Sequence, residues 1–335
     1  MGRRWLLARP RGGLNDTLCQ IEKCWRFAEK TGRELVIDTR DSGLLLDFHD
    51  VFEVRPEKGK VTPHKLTEEL VEDLNKLSAF PADVQENVTA YDNFKDEHDE
   101  FYTLPSRQPL KFSLTRDFSE DVIVYEGMGG GVDSFCALER LAFAPWLART
   151  IVDVLERLPD RYLSVHVRHS DMQTDYLHLL SHARRTNVGK LPVLVASDHD
   201  LVLKEARAFF GDEMFLAIPS LIERYGEPLH HPTPGLSEEQ RRIRTVEALS
   251  ELFALSGAVA FLYTEVSNRT GVSGFSRLAA HLAKKPPLRK TLLGGEPLEV
   301  EHRKCRPVLV APLYRRFLET LRWRRFACGL SAVTR

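Results

Sequence analysis

The chain has 335 residues, with 47 Lys+Arg against 48 Asp+Glu, 43% hydrophobic and 28% charged residues. These are ordinary globular values that exclude a disordered, collagen-like or low-complexity chain, and at roughly 100–200 residues per domain the length points to two domains. No apolar run reaches the ~18–20 residues of a bilayer crossing, and the apolar stretch Trp5–Ala8 is shorter than the about 7–15 residues of a secretory h-region, so a soluble, cytoplasmic protein is expected.

Residues 5–8 read as a short strand, broken by Gly12-Gly13. Leu14–Thr31 reads as a helix, because Leu14, Leu18, Ile21, Trp25 and Ala28 fall on one face at helical spacing. Gly32 fits its C-cap, and Glu34–Thr39 is the next strand. Strand, glycine turn, helix and strand make one βαβ unit, which requires a parallel sheet. A helix is expected over 65–80 and a polar excursion over 81–109. Val122–Tyr125 is a short strand entering the turn Gly127–Gly131, with a helix from Ser134. Phe143–Leu158 reads as a helix bridging to a second half. There the alternation resumes, with strands at Tyr162–Val167, Leu191–Ala196, Met214–Ile218 and Ala258–Tyr263. Helices are expected at Leu201–Phe210, Glu238–Leu255 and Phe275–Ala283, and a Pro/Gly/His loop at 225–237.

The architecture that fits is α/β: two parallel-sheet domains with a cleft between them, residues 1–150 and 151–310. Residues 311–335 form a basic tail. The stretch 284–335 holds 13 Lys/Arg and four acids, so the preceding 283 residues carry a net charge of −10. An amphipathic helix at 312–329 is expected, either lying on an anionic membrane or packed back on the protein. The acidic body argues against nucleic acid. Cys19, Cys24, Cys136, Cys305 and Cys328 form no CxxC pair, and His230-His231 have no third ligand at sensible spacing, so no structural metal is expected.

Four segments carry candidate chemistry. Arg11-Gly12-Gly13-Leu14-Asn15 lies between strand and helix, where backbone can approach a ligand and a helix N-terminus favours an anion; a tight structural turn explains it as well. His166-Val167-Arg168-His169-Ser170-Asp171 ends a strand, and a guanidinium there suits a phosphate; an internal Arg168–Asp171 pair is the bland alternative. Ala196-Ser197-Asp198-His199-Asp200 ends the next strand. Its D-x-D could hold a divalent cation against a diphosphate, or Ser197 or Asp198 could merely cap the following helix. Val272-Ser273-Gly274-Phe275-Ser276-Arg277 precedes a helix, where either serine could cap or meet a phosphate. Gly127–Gly131 lacks the Gly-Lys-Ser/Thr ending of a P-loop.

In this order the segments resemble the fucosyltransferase-like glycosyltransferases of the α1,6 nodulation and N-glycan core type, with the α1,2 and protein O-fucosyl enzymes as more distant relatives. GGLNDTLCQIEKCWRFAEKTGRELVID is similar to their glycine-opened first helix and strand, HVRHSD to their H-x-R-R-x-D motif, ASD at 196–198 to the segment after the next strand, and VSGFSRLAAHL to their serine-rich motif. The resemblance implies a GT-B fold with two Rossmann-like domains, and inverting transfer of fucose from GDP-fucose without a required cofactor or metal. The acceptor would be a glycan or lipid-linked surface polysaccharide, and the role polysaccharide biosynthesis. Arg168 would neutralise the leaving diphosphate beside His166. Asp198 would face the nucleoside and Ser273 and Ser276 the diphosphate, with Gly12, Gly13 and Asn15 closing on the donor. His169 stands where the relatives carry a second arginine. Their catalytic glutamate has Asp175 and Asp171 as its nearest counterparts. A different nucleotide sugar, metal-dependent through Asp198 and Asp200, and a non-catalytic binding protein on the same scaffold are the alternatives.

Overall fold

The computed structural model describes residues 2–170, 174–218, 235–266, 271–295 and 311–312. The chain divides into two compact units. The first is Met1–Glu156, Leu229–Ser250 and Lys285–Glu299; the second is Arg157–Pro228, Glu251–Lys284 and Val300–Arg335. The units are therefore discontinuous, unlike the contiguous 1–150 and 151–310 expected from sequence. The long helix Glu238–Gly257 begins among residues of the first unit and ends among those of the second, and the helix Pro286–Leu292 returns to the first. Nothing local in the sequence marks those crossings.

The first unit is built on a four-stranded parallel sheet, in the order Glu34–Ile37, Trp5–Pro10, Val122–Gly127, Ala79–Phe80. All six residues of Trp5–Pro10 are buried, as a central parallel strand covered on both faces must be. The helix Leu14–Thr31 buries Leu18, Ile21, Trp25 and Ala28, the stripe its spacing dictates, and ends on Gly32 in the left-handed conformation.

The expected helix over 65–80 is shorter, Glu68–Asn75, and Ala79–Phe80 joins the sheet instead. Pro81 explains the change, since the residue before a proline is pushed out of the helical region. The excursion 81–109 contains an antiparallel hairpin, Asn93–Lys95 with Phe101–Thr103. Phe94 and Tyr102 stack across it, and the Asp96 carboxylate accepts from the His98 and Glu100 amides to form its turn. The bridging helix begins at Pro145, and Leu141–Phe143 pairs as a strand with Phe52–Val54.

The second unit holds a five-stranded parallel sheet, ordered Phe215–Leu216, Val193–Ser197, Leu163–Val167, Ala260–Tyr263, Ala311–Pro312. Val165, Val167, Val193 and Val195 pack with Leu179, Leu180, Val202 and Ala206 of two covering helices. One of these, Tyr176–Thr186, was not anticipated from the sequence. Residues 219–234, which include most of the loop expected at 225–237 with His230 and His231, and the residues beyond Pro312 lie outside the described residues.

Gly12 has φ +86°, in the region only glycine enters freely, and its carbonyl accepts the Gly43 amide at 2.8 Å. A Cβ at Gly43 would lie 2.8 Å from the Gly12 oxygen and 2.9 Å from Gly13 Cα, both backbone atoms. Gly43→Ala is therefore expected to destabilise the first unit by about 1–3 kcal/mol, the usual range for overpacking a closed contact. Denaturant unfolding with an unshifted midpoint would refute this.

Candidate functional site

In the second sheet the chain runs from Leu163–Val167 outward through two strands on one side, then returns to the other side at Ala260–Tyr263. The order reverses between these neighbours, and open α/β sheets bind ligands outside the carboxyl ends of their strands at such a switch point. His166 pairs in register with Tyr263 across the reversal. Its Nδ1 lies 2.7 Å from Ser276 Oγ, and its ring lies 5.2 Å from that of Phe275.

Burial pushes the His166 pKa down to about 4. The Asp198 charge opposes this and the Arg168 charge adds to it. The imidazole is thus neutral at pH 7. Between pH 6.5 and about 4 the unfolded chain binds a proton here and the native chain does not, so this contribution to stability is complete above 6.5 and lost on acidification. At pH 5 the loss is about 2 kcal/mol. His166→Gln is expected to flatten the decline in stability between pH 7 and pH 5 by that amount. Parallel pH profiles for the two proteins would contradict it.

Ser276 is thus the histidine's partner rather than a helix cap. Ser273 is 4% exposed, its carbonyl accepts the Arg277 amide at the start of the helix Gly274–Lys284, and its buried hydroxyl has no partner among the described residues. An unsatisfied buried hydroxyl is costly, and a bound polar ligand would relieve it.

Arg168 emerges two residues beyond His166. Its side chain is 19% exposed, with Nε 3.9 Å from Asp198 Oδ2, and its carbonyl accepts the Thr174 hydroxyl. Asp198 accepts from the His169 amide at 2.8 Å, the Ser170 amide at 3.3 Å and the Ser170 hydroxyl at 2.6 Å. Its carboxylate is committed to shaping the loop that carries Arg168, a positioning role that the sequence did not reveal. His199, the middle of the D-x-D, caps the helix Asp200–Phe210 by accepting the Leu201 amide. His169 fills its place in the motif by packing edge-on to Tyr176. Asp175 is exposed and caps the helix Tyr176–Thr186, accepting the His178 amide at 3.1 Å. Asp171 lies outside the described residues.

The first sheet has its own switch point, between Trp5–Pro10 and Val122–Gly127. Gly12 and Gly13 follow the first of these strands, and Asn15 Oδ1 accepts the Ser134 hydroxyl at 2.8 Å. A group missed from sequence gathers there around Glu126, which is fully buried. Its carboxylate accepts Arg11 at 2.6 Å, the Tyr91 hydroxyl at 2.6 Å and Asn93 at 3.1 Å, and lies 3.6 Å from Arg9. Burial works against the Arg9 charge, but Tyr91, Glu126 and Asp38 outweigh it and the pKa is raised. Burial, then Glu126, raises the pKa of Tyr91, which keeps its donor proton. The signal available in the sequence was a pair of arginines, Arg9 and Arg11, just before a glycine turn. Their partner is 115 residues from Arg11.

Neither the family models nor the curated proteins compared with this chain give a match. Among solved structures, the chain is similar to the fucosyltransferase NodZ from Bradyrhizobium, with 17% identity, a TM-score of 0.53, and coverage of 85% of this chain and 95% of that one. A NodZ α-1,6-fucosyltransferase co-crystallised with GDP is 19% identical, with a TM-score of 0.55 and coverage of 85% and 94%. One soaked with GDP-fucose is 20% identical, with a TM-score of 0.52 and coverage of 84% and 94%. The chain therefore has the α/β, GT-B fold of these structures.

Proposed function

We propose that this protein is an inverting glycosyltransferase that moves fucose from GDP-fucose to a glycan or lipid-linked surface-polysaccharide acceptor. The observation that carries this proposal is the buried, unpartnered Ser273 hydroxyl, three residues before the Ser276 that holds His166 and in the same unit as Arg168. Such a hydroxyl, a helix N-terminus and a guanidinium form a set suited to a diphosphate. Two of the structures that share the fold were co-crystallised with GDP or soaked with GDP-fucose, which supports a guanosine donor.

Cleavage of the sugar–phosphate bond places negative charge on the departing diphosphate. Arg168 and the amide end of the helix Gly274–Lys284 would stabilise that charge most where it is largest, in the transition state. Neutral His166 holds Ser276 without adding a charge of its own. Asp198 positions the Arg168 loop. A carboxylate takes the acceptor proton; Asp171 and Asp175 are the candidates in this unit, and Asp175 must leave its cap to serve. Residues Gly12, Gly13 and Asn15 are assigned to the donor, and the first unit to the acceptor. The Asp198 contacts favour a loop clamp over a D-x-D metal site, so no cofactor is assigned and transfer is expected to persist in EDTA.

A thermal-shift comparison of GDP, UDP and CMP tests the donor. GDP at 100 times its Kd should stabilise the native chain by about 2.7 kcal/mol through mass action. A rise in melting temperature with UDP or CMP but not with GDP would sink the guanosine assignment.

A further inference from the structure

The first unit carries a concavity that the donor chemistry does not use. A groove of about 740 Å³ opens between the outer side of the helix Leu14–Thr31 and the segment 109–115. That volume is in the range of small-molecule sites. Lys23, Arg26, Phe27 and Lys30 stand at i, i+3, i+4 and i+7 on the helix, so one stripe of it lines the groove. Lys111 adds a fourth cation, and Glu100 is the lone acid in the lining.

The cations are not equivalent. Arg26 is paired with Glu22 and Asp133, and Lys111 with Glu100. Lys30 donates to the Thr115 carbonyl, which leaves its charge uncompensated, and Lys23 makes no ion pair among the described residues. The residues that bear these two charges are therefore roughly 10 Å apart along the helix axis. They belong to a stretch of 283 residues whose net charge is −10, so the positive groove is a local departure from its surroundings.

Three further aromatic side chains belong to the lining. Tyr102 and Phe112 are half-buried and reach the groove, and Tyr125 closes its base. Aromatic faces flanked by cations suit a ring that is apolar on one side and carries anionic substituents at its edge. An acidic pyranose has that form.

The groove also leads to the strand ends. Lys111 lies against the glycine turn, since a Cβ at Gly127 would come within 2.9 Å of its Cδ. Tyr125 donates to Gln20 at 2.9 Å, and Gln20 in turn donates to the Gly129 carbonyl.

We propose that this groove binds an acidic oligosaccharide, its carboxylates on Lys23 and Lys30 and its rings on Tyr102 and Phe112. As the acceptor subsite, it rests on the glycosyltransferase assignment above; as a binding site it stands alone.

Calorimetric titration of the full chain with tetragalacturonate, cellotetraose and tripolyphosphate tests it. Tetragalacturonate is expected to bind and the other two to bind at least roughly tenfold more weakly, since one lacks the charges and the other the rings. Lys23→Gln/Lys30→Gln and, separately, Tyr102→Ala should each weaken tetragalacturonate binding by roughly tenfold or more while the GDP thermal shift is unchanged. Absence of tetragalacturonate binding, equal binding of either control, or unaltered affinity in the double variant would overturn the proposal. Tetragalacturonate binding without any GDP shift would keep the groove and remove only the donor assignment.

Discussion

Arg168→Ala is expected to lower transfer from GDP-fucose by more than about 100-fold, within the range for removing one preorganised charge contact to a transition state. The loss should fall on kcat more than on GDP affinity, because the guanidinium meets the greatest charge as the diphosphate departs. The side chain is partly exposed, and it reaches only to 3.9 Å from its Asp198 partner. Arg168→Lys keeps the charge and loses the planar fork, so intermediate activity is expected. Transfer at near-normal rate by Arg168→Ala, measured with the protein shown to bind GDP, would remove this residue from the mechanism.

Glu126→Ala is expected to cost the first unit about 3–5 kcal/mol, the scale for breaking a buried ion pair by deleting one partner. The carboxylate is wholly buried and gathers two arginines, a tyrosine and an asparagine; its deletion removes the acceptor that all four share. Glu126→Gln keeps an acceptor oxygen and should cost less. Denaturant unfolding distinguishes them, and equal midpoints for wild type and Glu126→Ala would show that the cluster contributes nothing net. Such clusters are weak evidence for stability as they stand, because desolvation offsets much of the attraction. The large effect comes from the buried donors of Tyr91, Asn93 and the inner limbs of the guanidinium groups losing their acceptor, while Asp38 and Asp41 still pair Arg9 and Asp41 still pairs Arg11.

The same distinction separates what the sequence reveals from what it conceals. Helical periodicity placed Leu14–Thr31 and its buried stripe, because that stripe repeats within the helix itself. The alternation of strands and helices implied parallel sheets in both units, since a strand joined through a helix to its neighbour must run parallel. Strand ends marked His166, Arg168 and Asp198 as a candidate site for the same local reason.

Tertiary structure alone decided their duties. Asp198 shapes the 168–170 loop across a strand pairing, and Ser276 turns 110 residues back to His166. Pro81 keeps Phe80 out of the helix, but that Ala79–Phe80 pairs with Val122 and Ile123 is a tertiary choice. Spacing along a chain records which faces a segment presents. It does not record which distant residue will meet that face, because that choice is made by the burial of all segments together.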